Sequence, residues 1–151
     1  MNEIIKKRLQ DQGFAAVELN TNENIISLSR WTPYSCSIFG ITGLLLQSPV
    51  YFLVLGLLTL IGLFRPWSFY EYTYKYFFSN FIKLGEMPRH SIYRKIGCFI
   101  GSVMYLLTSL GFYTKSVYLA YLPSAAIIAI ATISGITGWC FVSSVYHLFK
   151  K

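Results

Sequence analysis

The chain has 151 residues and a mass of 17.3 kDa; 54% of its residues are hydrophobic, 18% aromatic and only 13% charged, with a mean hydropathy of +0.50. That charged share is about half the usual one, which excludes a disordered chain, a coiled coil and a water-soluble α/β enzyme. The net charge of +7 sits beside long apolar runs, so anionic lipid headgroups rather than nucleic acid are the expected partner of the cations.

Residues 1–30 carry eight charges, Glu3, Lys6, Lys7, Arg8, Asp11, Glu18, Glu23 and Arg30. No apolar core of a secretory signal interrupts them. The stretch reads as a soluble N-terminal arm on the cytoplasmic side. Ile4, Ile5, Leu9 and Ala16, beside Lys6, Lys7 and Arg8, suit a short surface helix that either rests on headgroups or frays.

From residue 31 on, three long stretches lack Asp, Glu, Lys and Arg: 31–64, 96–114 and 116–149. A crossing helix takes roughly 20 apolar residues. The first stretch is too long for one crossing and is broken at Gln47-Ser48-Pro49, where proline suits the first position of a new helix. It is expected to form two short helices, about 34–46 and 49–64, with local thinning of the bilayer or tilt of neighbours.

The cations favour this hairpin. With four crossings, Lys6, Lys7, Arg8, Arg30, Arg65, Lys75, Lys83, Arg89, Arg94, Lys95, Lys150 and Lys151 share one side, against Lys115 alone on the other. With three crossings the split is eight against five. The positive-inside rule therefore puts both termini and the 65–95 connection in the cytoplasm.

Pro66–Leu84 is crowded with aromatics, among them Trp67, Phe69, Tyr70, Tyr72, Tyr74, Tyr76, Phe77, Phe78 and Phe81. Rings with polar tips favour the headgroup zone, so an interfacial amphipathic helix is expected. Alternating tyrosines also suit a strand, but a lone strand has nothing to pair with. Gly85-Glu86-Met87-Pro88 ends the element. The third crossing covers about 96–114, and the fourth, started by Pro123, about 123–149. A second hairpin at Ser134–Gly138 is rejected because it moves Lys150 and Lys151 to the wrong side. The fold expected is thus an all-α four-helix membrane bundle, with residues 1–30 as the arm and 31–151 as the transmembrane domain.

Candidate chemistry is sparse. His147, near the cytoplasmic end of the last helix, is a candidate ligand for a porphyrin or chlorophyll metal, although histidines there more often cap carbonyls or meet headgroups. His90 follows Pro88-Arg89 in a polar loop and reads as solvated. No charged residue falls within an expected crossing, whereas ion-coupled transporters keep such groups along their route. Thr42, Thr59, Ser102, Thr108, Ser109, Thr132, Ser134 and Thr137 suit bonds to backbone and between helices. Gly97-x-x-x-Gly101 and the series Ala125, Ala129, Ser134 and Gly138 mark close-packing faces. Cys36, Cys98 and Cys140 form no CxxC pair and no metal signature; Cys140 is the candidate thiol, with small apolar packing as the plainer alternative. Trp67, Tyr70, Tyr74, Arg65, Arg94 and Lys95 are the expected interfacial, lipid-contacting residues.

The stretches Pro88-Arg89-His90, Arg94-Lys95-Ile96-Gly97 and Gly138-Trp139-Cys140-Phe141-Val142-Ser143-Ser144-Val145-Tyr146 resemble those of a family of small bacterial four-helix membrane proteins of unknown function. That family often ends in a Gly-Phe-Cys-x-x-Cys motif followed by a tyrosine. Cys140 matches its first cysteine, whereas Ser143 stands in place of the second. Arg65 also resembles a basic residue of that family. The resemblance covers roughly residues 30–150 and implies a four-crossing fold and no established activity; the location expected is a bacterial inner membrane.

The function expected is a non-catalytic accessory subunit of a larger membrane complex, packing through aromatic and small-residue faces and in contact with lipid or pigment. The alternatives are a thiol-based redox protein using Cys140 and a small-solute transporter.

Overall fold

The computed structural model describes residues 25–81 and 92–138, with single positions 4, 7, 10, 144 and 145. Across them the chain is all helical. Its α-helices are α1 (Ile25–Leu46), α2 (Pro49–Ile61), α3 (Phe69–Thr73), α4 (Ile92–Tyr113) and α5 (Val117–Thr137). A 3₁₀ turn, Gly62–Phe64, prolongs α2, and a π-helical turn, Tyr74–Phe78, prolongs α3.

Two helices, α4 with 22 residues and α5 with 21, are long and apolar enough to cross a membrane. At 1.5 Å per residue each is about 32 Å long, matching a hydrocarbon core of about 30 Å. The α2–3₁₀ segment and the α3–π segment pass the same test only as a pair, bent by 93° at their break. α1 is also 22 residues long, but Arg30, Thr32, Ser35 and Ser37 make it too polar to join them.

The break expected inside the first apolar stretch is present. Gln47 adopts a left-handed conformation, φ +47°, and its N–H reaches the Gly43 carbonyl at 2.9 Å. This single bond closes α1 in the manner of an αL C-cap. Ser48 then caps α2, its side chain accepting from the Tyr51 N–H at 3.4 Å, and Pro49 opens the helix.

Other boundaries differ from those expected, each for a local reason. α1 begins at Ile25 rather than near residue 34, so the last part of the charged arm is helical. Pro33 lies inside it and has no N–H for the Ser29 carbonyl. Arg94 Nη2 takes that carbonyl instead, at 2.9 Å, and the helix continues. α4 begins at Ile92 and includes Arg94 and Lys95. α5 begins after Ser116, well before Pro123, which sits in its second turn. It ends at Gly138, φ +62°, whose N–H returns to Ser134 at 3.0 Å, rather than running to 149. The aromatic element is Phe69–Phe78 rather than a helix to Leu84. Most of the charged arm, the Gly85–Pro88 terminator and nearly all of the chain after Gly138 lie outside the described residues.

The turn between α4 and α5 is very tight. Lys115 is left-handed, φ +56°; the Ser116 N–H bonds Gly111 O at 2.9 Å and the Lys115 N–H bonds Phe112 O at 3.4 Å. These are the paired bonds of a Schellman motif. They fold α5 directly onto Gly111, where a Cβ would lie 2.2 Å from Ala120 N and 2.3 Å from the Leu119 carbonyl carbon. Only glycine allows that approach.

α4 packs between α2 and α5, and α1 closes against α5. The core cluster is Phe52, Leu55, Tyr70, Tyr105 and Ile127, with Phe52 stacked on Phe112 at 5.7 Å. The two faces of α4 show the character of the whole. Cys98, Gly101, Ser102, Tyr105, Thr108, Ser109 and Gly111 are buried, whereas Ile96, Phe99, Ile100, Val103, Leu107 and Leu110 are exposed. Small and hydroxyl-bearing residues inside, with branched and aromatic ones outside, is the pattern of helices packed in lipid.

Two substitutions should therefore change stability in opposite directions. Gly111→Ala should destabilise the protein by at least about 1–3 kcal/mol through overpacking against backbone. Lys115→Gly should stabilise it by about 1 kcal/mol by removing a side chain from the left-handed region. Unfolding of the purified protein in mixed detergent–SDS micelles measures both.

Candidate functional site

The most developed polar centre lies where α3 meets the first turns of α1 and α4. Ser68-x-x-Glu71 opens α3, and Glu71 Oε2 accepts the Ser68 N–H at 2.9 Å. This carboxylate-to-backbone bond is half of a capping box and fixes the Glu71 side chain at its own helix start. Oε1 accepts from Arg94 Nη1 at 2.9 Å and from Thr32 Oγ1 at 3.3 Å. The Glu71 side chain is wholly buried and that of Arg94 nearly so. Because Arg94 also bonds Ser29 O, one guanidinium ties α3, α1 and α4 together. Trp31 adds a further tie through Nε1 to the Tyr70 carbonyl at 2.9 Å, and its ring packs on Tyr74 and Phe78 at 5.4 and 4.9 Å.

A second polar layer lies deeper. Tyr105 Oη donates to the Cys36 carbonyl at 2.9 Å and lies 3.1 Å from Cys36 Sγ. The Tyr70 and Thr59 hydroxyls meet at 3.3 Å, while Thr59 also donates to Leu55 O at 2.7 Å. Phe39 covers this layer, its ring 5.8 Å from Phe69 and 6.0 Å from Tyr70. Cys36 and Cys98 are free thiols. Among the described residues, no group of three or more His, Cys, Asp or Glu is arranged to hold a metal ion.

The residues expected at the interface divide into two sets. Tyr70 and Tyr74 do not face headgroups: each is only 2% exposed. Four positions apart on a short helix, they share its inward face, where they fill the space beside Trp31, Phe39 and Thr59. Arg94 likewise turns inward, to Glu71. Arg65 is exposed and Lys95 half-buried. Trp67 is half-buried, with Lys75 Nζ 4.3 Å from its ring centroid and Tyr72 edge-on at 6.0 Å. Cys140 and His147 lie outside the described residues.

Glu71 itself is absent from the expected set, although two signals mark it. It is one of two acidic residues after Glu23, and it completes the Ser68-x-x-Glu71 spacing. Nothing in the pattern names its partner, because Arg94 lies on the far side of the long connection, at the start of another helix. Tyr105 is one of two tyrosines in the apolar run 96–114, and its bonds to Cys36 follow from tertiary packing alone.

The described structure thus defines an all-helical protein with membrane-type helices, locked by a buried ion pair beside a short aromatic element. The chain belongs to the family described as a domain of unknown function, DUF4395, whose model matches residues 27–151. Neither the curated proteins nor the solved structures include a match to the chain.

Removing one partner of a buried pair leaves an uncompensated charge. Glu71→Ala and Arg94→Ala should each destabilise the protein by about 3 kcal/mol. The double variant should lose less than the sum, with a coupling of at least about 1.5 kcal/mol in a double-mutant cycle. Additive losses in detergent unfolding experiments would contradict the pairing.

Proposed function

We propose that this protein is a non-catalytic accessory subunit of a larger membrane complex. In this reading the segments form a four-crossing bundle. α1 is the first crossing, its polar groups at Ser29, Thr32 and Ser37 bonded to Arg94, Glu71 and Thr132; the bent α2–α3 unit provides the second crossing and an interfacial element, and α4 and α5 are the third and fourth. Both termini and the 65–95 connection face the cytoplasm of a bacterial inner membrane.

The observation that carries the subunit reading is the outward face of α5. Leu122, Ala125, Ala129, Ile133 and Ile136 form one exposed stripe, with the two alanines four positions apart at its centre. Small residues at that spacing permit close helix approach. Among the described residues no helix uses them: α5 meets α4 and α1 through Ala120, Ser124, Ile127, Ala131 and Gly135. A partner helix fits the outer stripe.

The interior supports a structural role over transport. Ser102 bonds Gly56 O at 2.8 Å, Ser109 bonds Pro49 O at 2.7 Å, and Ser37 meets Thr132 at 3.1 Å. Thr108 and Ser124 bond carbonyls of their own helices. Ser102 and Ser109 knit α4 to α2, and Ser37 knits α1 to α5, so these interior hydroxyls serve helix packing.

The test is extraction of the tagged protein from its native membranes in mild detergent or polymer nanodiscs, followed by native mass spectrometry. A stoichiometric membrane partner is expected, lost in Ala125→Leu/Ala129→Leu while the chain itself stays folded. A lone monomer in every preparation would overturn the proposal. Single cysteines replacing Arg65 and Lys115, in a Cys140→Ser background, should be modified by a membrane-impermeant reagent from opposite sides of sealed vesicles. Labelling of both from one side would refute the four-crossing arrangement.

A further inference from the structure

Around the end of α2 and the π-helical turn, apolar side chains project from the protein: Phe64 is 89% exposed, Tyr76 70%, Phe77 74% and Phe81 87%. This end carries positive charge. Arg65 and Lys75 are exposed, and the acid of the element, Glu71, is fully buried against Arg94. The same end continues an apolar stripe on α2, where Val50, Leu53, Val54, Leu57 and Ile61 are all exposed. The patch thus continues the exposed apolar stripe of α2 onto an element bent by 93° from it.

From these observations we propose that the 64–81 segment is a wedge for the anionic headgroup layer of the bilayer. Phe64, Phe77 and Phe81 insert at the headgroup–acyl boundary, and Arg65 and Lys75 take lipid phosphates. The geometry has a definite division of labour. Tyr70, Glu71 and Tyr74 hold the inner side of the element to α1 and α4. The π turn widens the backbone spiral just after Tyr74, so Lys75, Tyr76, Phe77 and Phe78 are all exposed in succession. Lys75 rests over the Trp67 ring, 4.3 Å from its centroid, which holds its ammonium near the level of an interfacial indole. Within 64–81, exposed aromatics and cations with no exposed acid complement a negative lipid surface. A water-facing surface does not explain four bulky apolar side chains, and a neutral lipid surface does not explain the charge. This inference rests on the membrane arrangement proposed above, in which the bent α2–α3 unit lies at the interface, and not on the subunit role.

The experiment uses full-length protein carrying Cys140→Ser and Phe77→Cys, labelled with an apolar bimane fluorophore and reconstituted into vesicles. The vesicles contain brominated phosphatidylglycerol or brominated phosphatidylcholine in otherwise equal mixtures. Phe81→Cys serves as a second label site should the first variant fold poorly. Quenching by both brominated lipids is expected, stronger for phosphatidylglycerol. That preference should fall by roughly fivefold for each of Arg65→Gln and Lys75→Gln. Equal quenching by the two lipids would overturn the anionic preference. Absence of quenching by either would overturn the wedge and assign the patch to water or a protein partner.

Discussion

The structure depends on one buried ion pair. Glu71 and Arg94 lie on either side of the long connection, and taking two such charges out of water is expensive unless geometry and hydrogen bonding compensate. Here they do. The carboxylate has three donors, from Arg94, Thr32 and the Ser68 backbone, and the guanidinium has a second acceptor at Ser29. The reward is positional. A helix as short as α3 cannot hold itself in water or at an interface. Pinned by its own first turn to two longer helices, α3 acquires a fixed orientation, and with it the π turn that follows.

The pair also repairs a defect in α1. Pro33 removes a donor that Ser29 requires, and in a low-dielectric setting an orphan carbonyl is costly. Arg94 supplies the missing hydrogen. One side chain therefore neutralises a charge and completes a helix, which explains why it faces inward although its neighbour Lys95 remains partly exposed. Elsewhere cohesion comes from smaller terms: hydroxyls reaching carbonyls of facing helices, close backbone approach at Gly111, and aromatic packing around Phe52 and Tyr105.

Much of the helical plan is legible in the chain itself. Composition alone indicates membrane-type helices, and Gln47-Ser48-Pro49 marks the division of the first apolar run because cap and proline chemistry are local. Boundaries set by tertiary contacts are not legible. Pro33 lies inside a helix because replacement bonding comes from another segment, and Pro123 reads as a helix start yet sits in the second turn of a helix already begun at Val117. The aromatic stretch shows the same limit. Its rings raise the expectation of an interfacial element, but which of them face inward depends on the phase of α3, and that phase is set by Glu71 finding Arg94. Tyr70 and Tyr74 are identical to Tyr76 as letters and opposite to it in place.

The order of packing has a consequence for biogenesis. α1 leans chiefly on α5, and its Pro33 gap is filled from α4, so the earliest-made of these helices is completed only by the last two. Until they emerge, a proline-notched segment carrying Arg30 must persist without its permanent neighbours. Synthesis thus contains a waiting period in which α1 has been made but the groups that complete it have not.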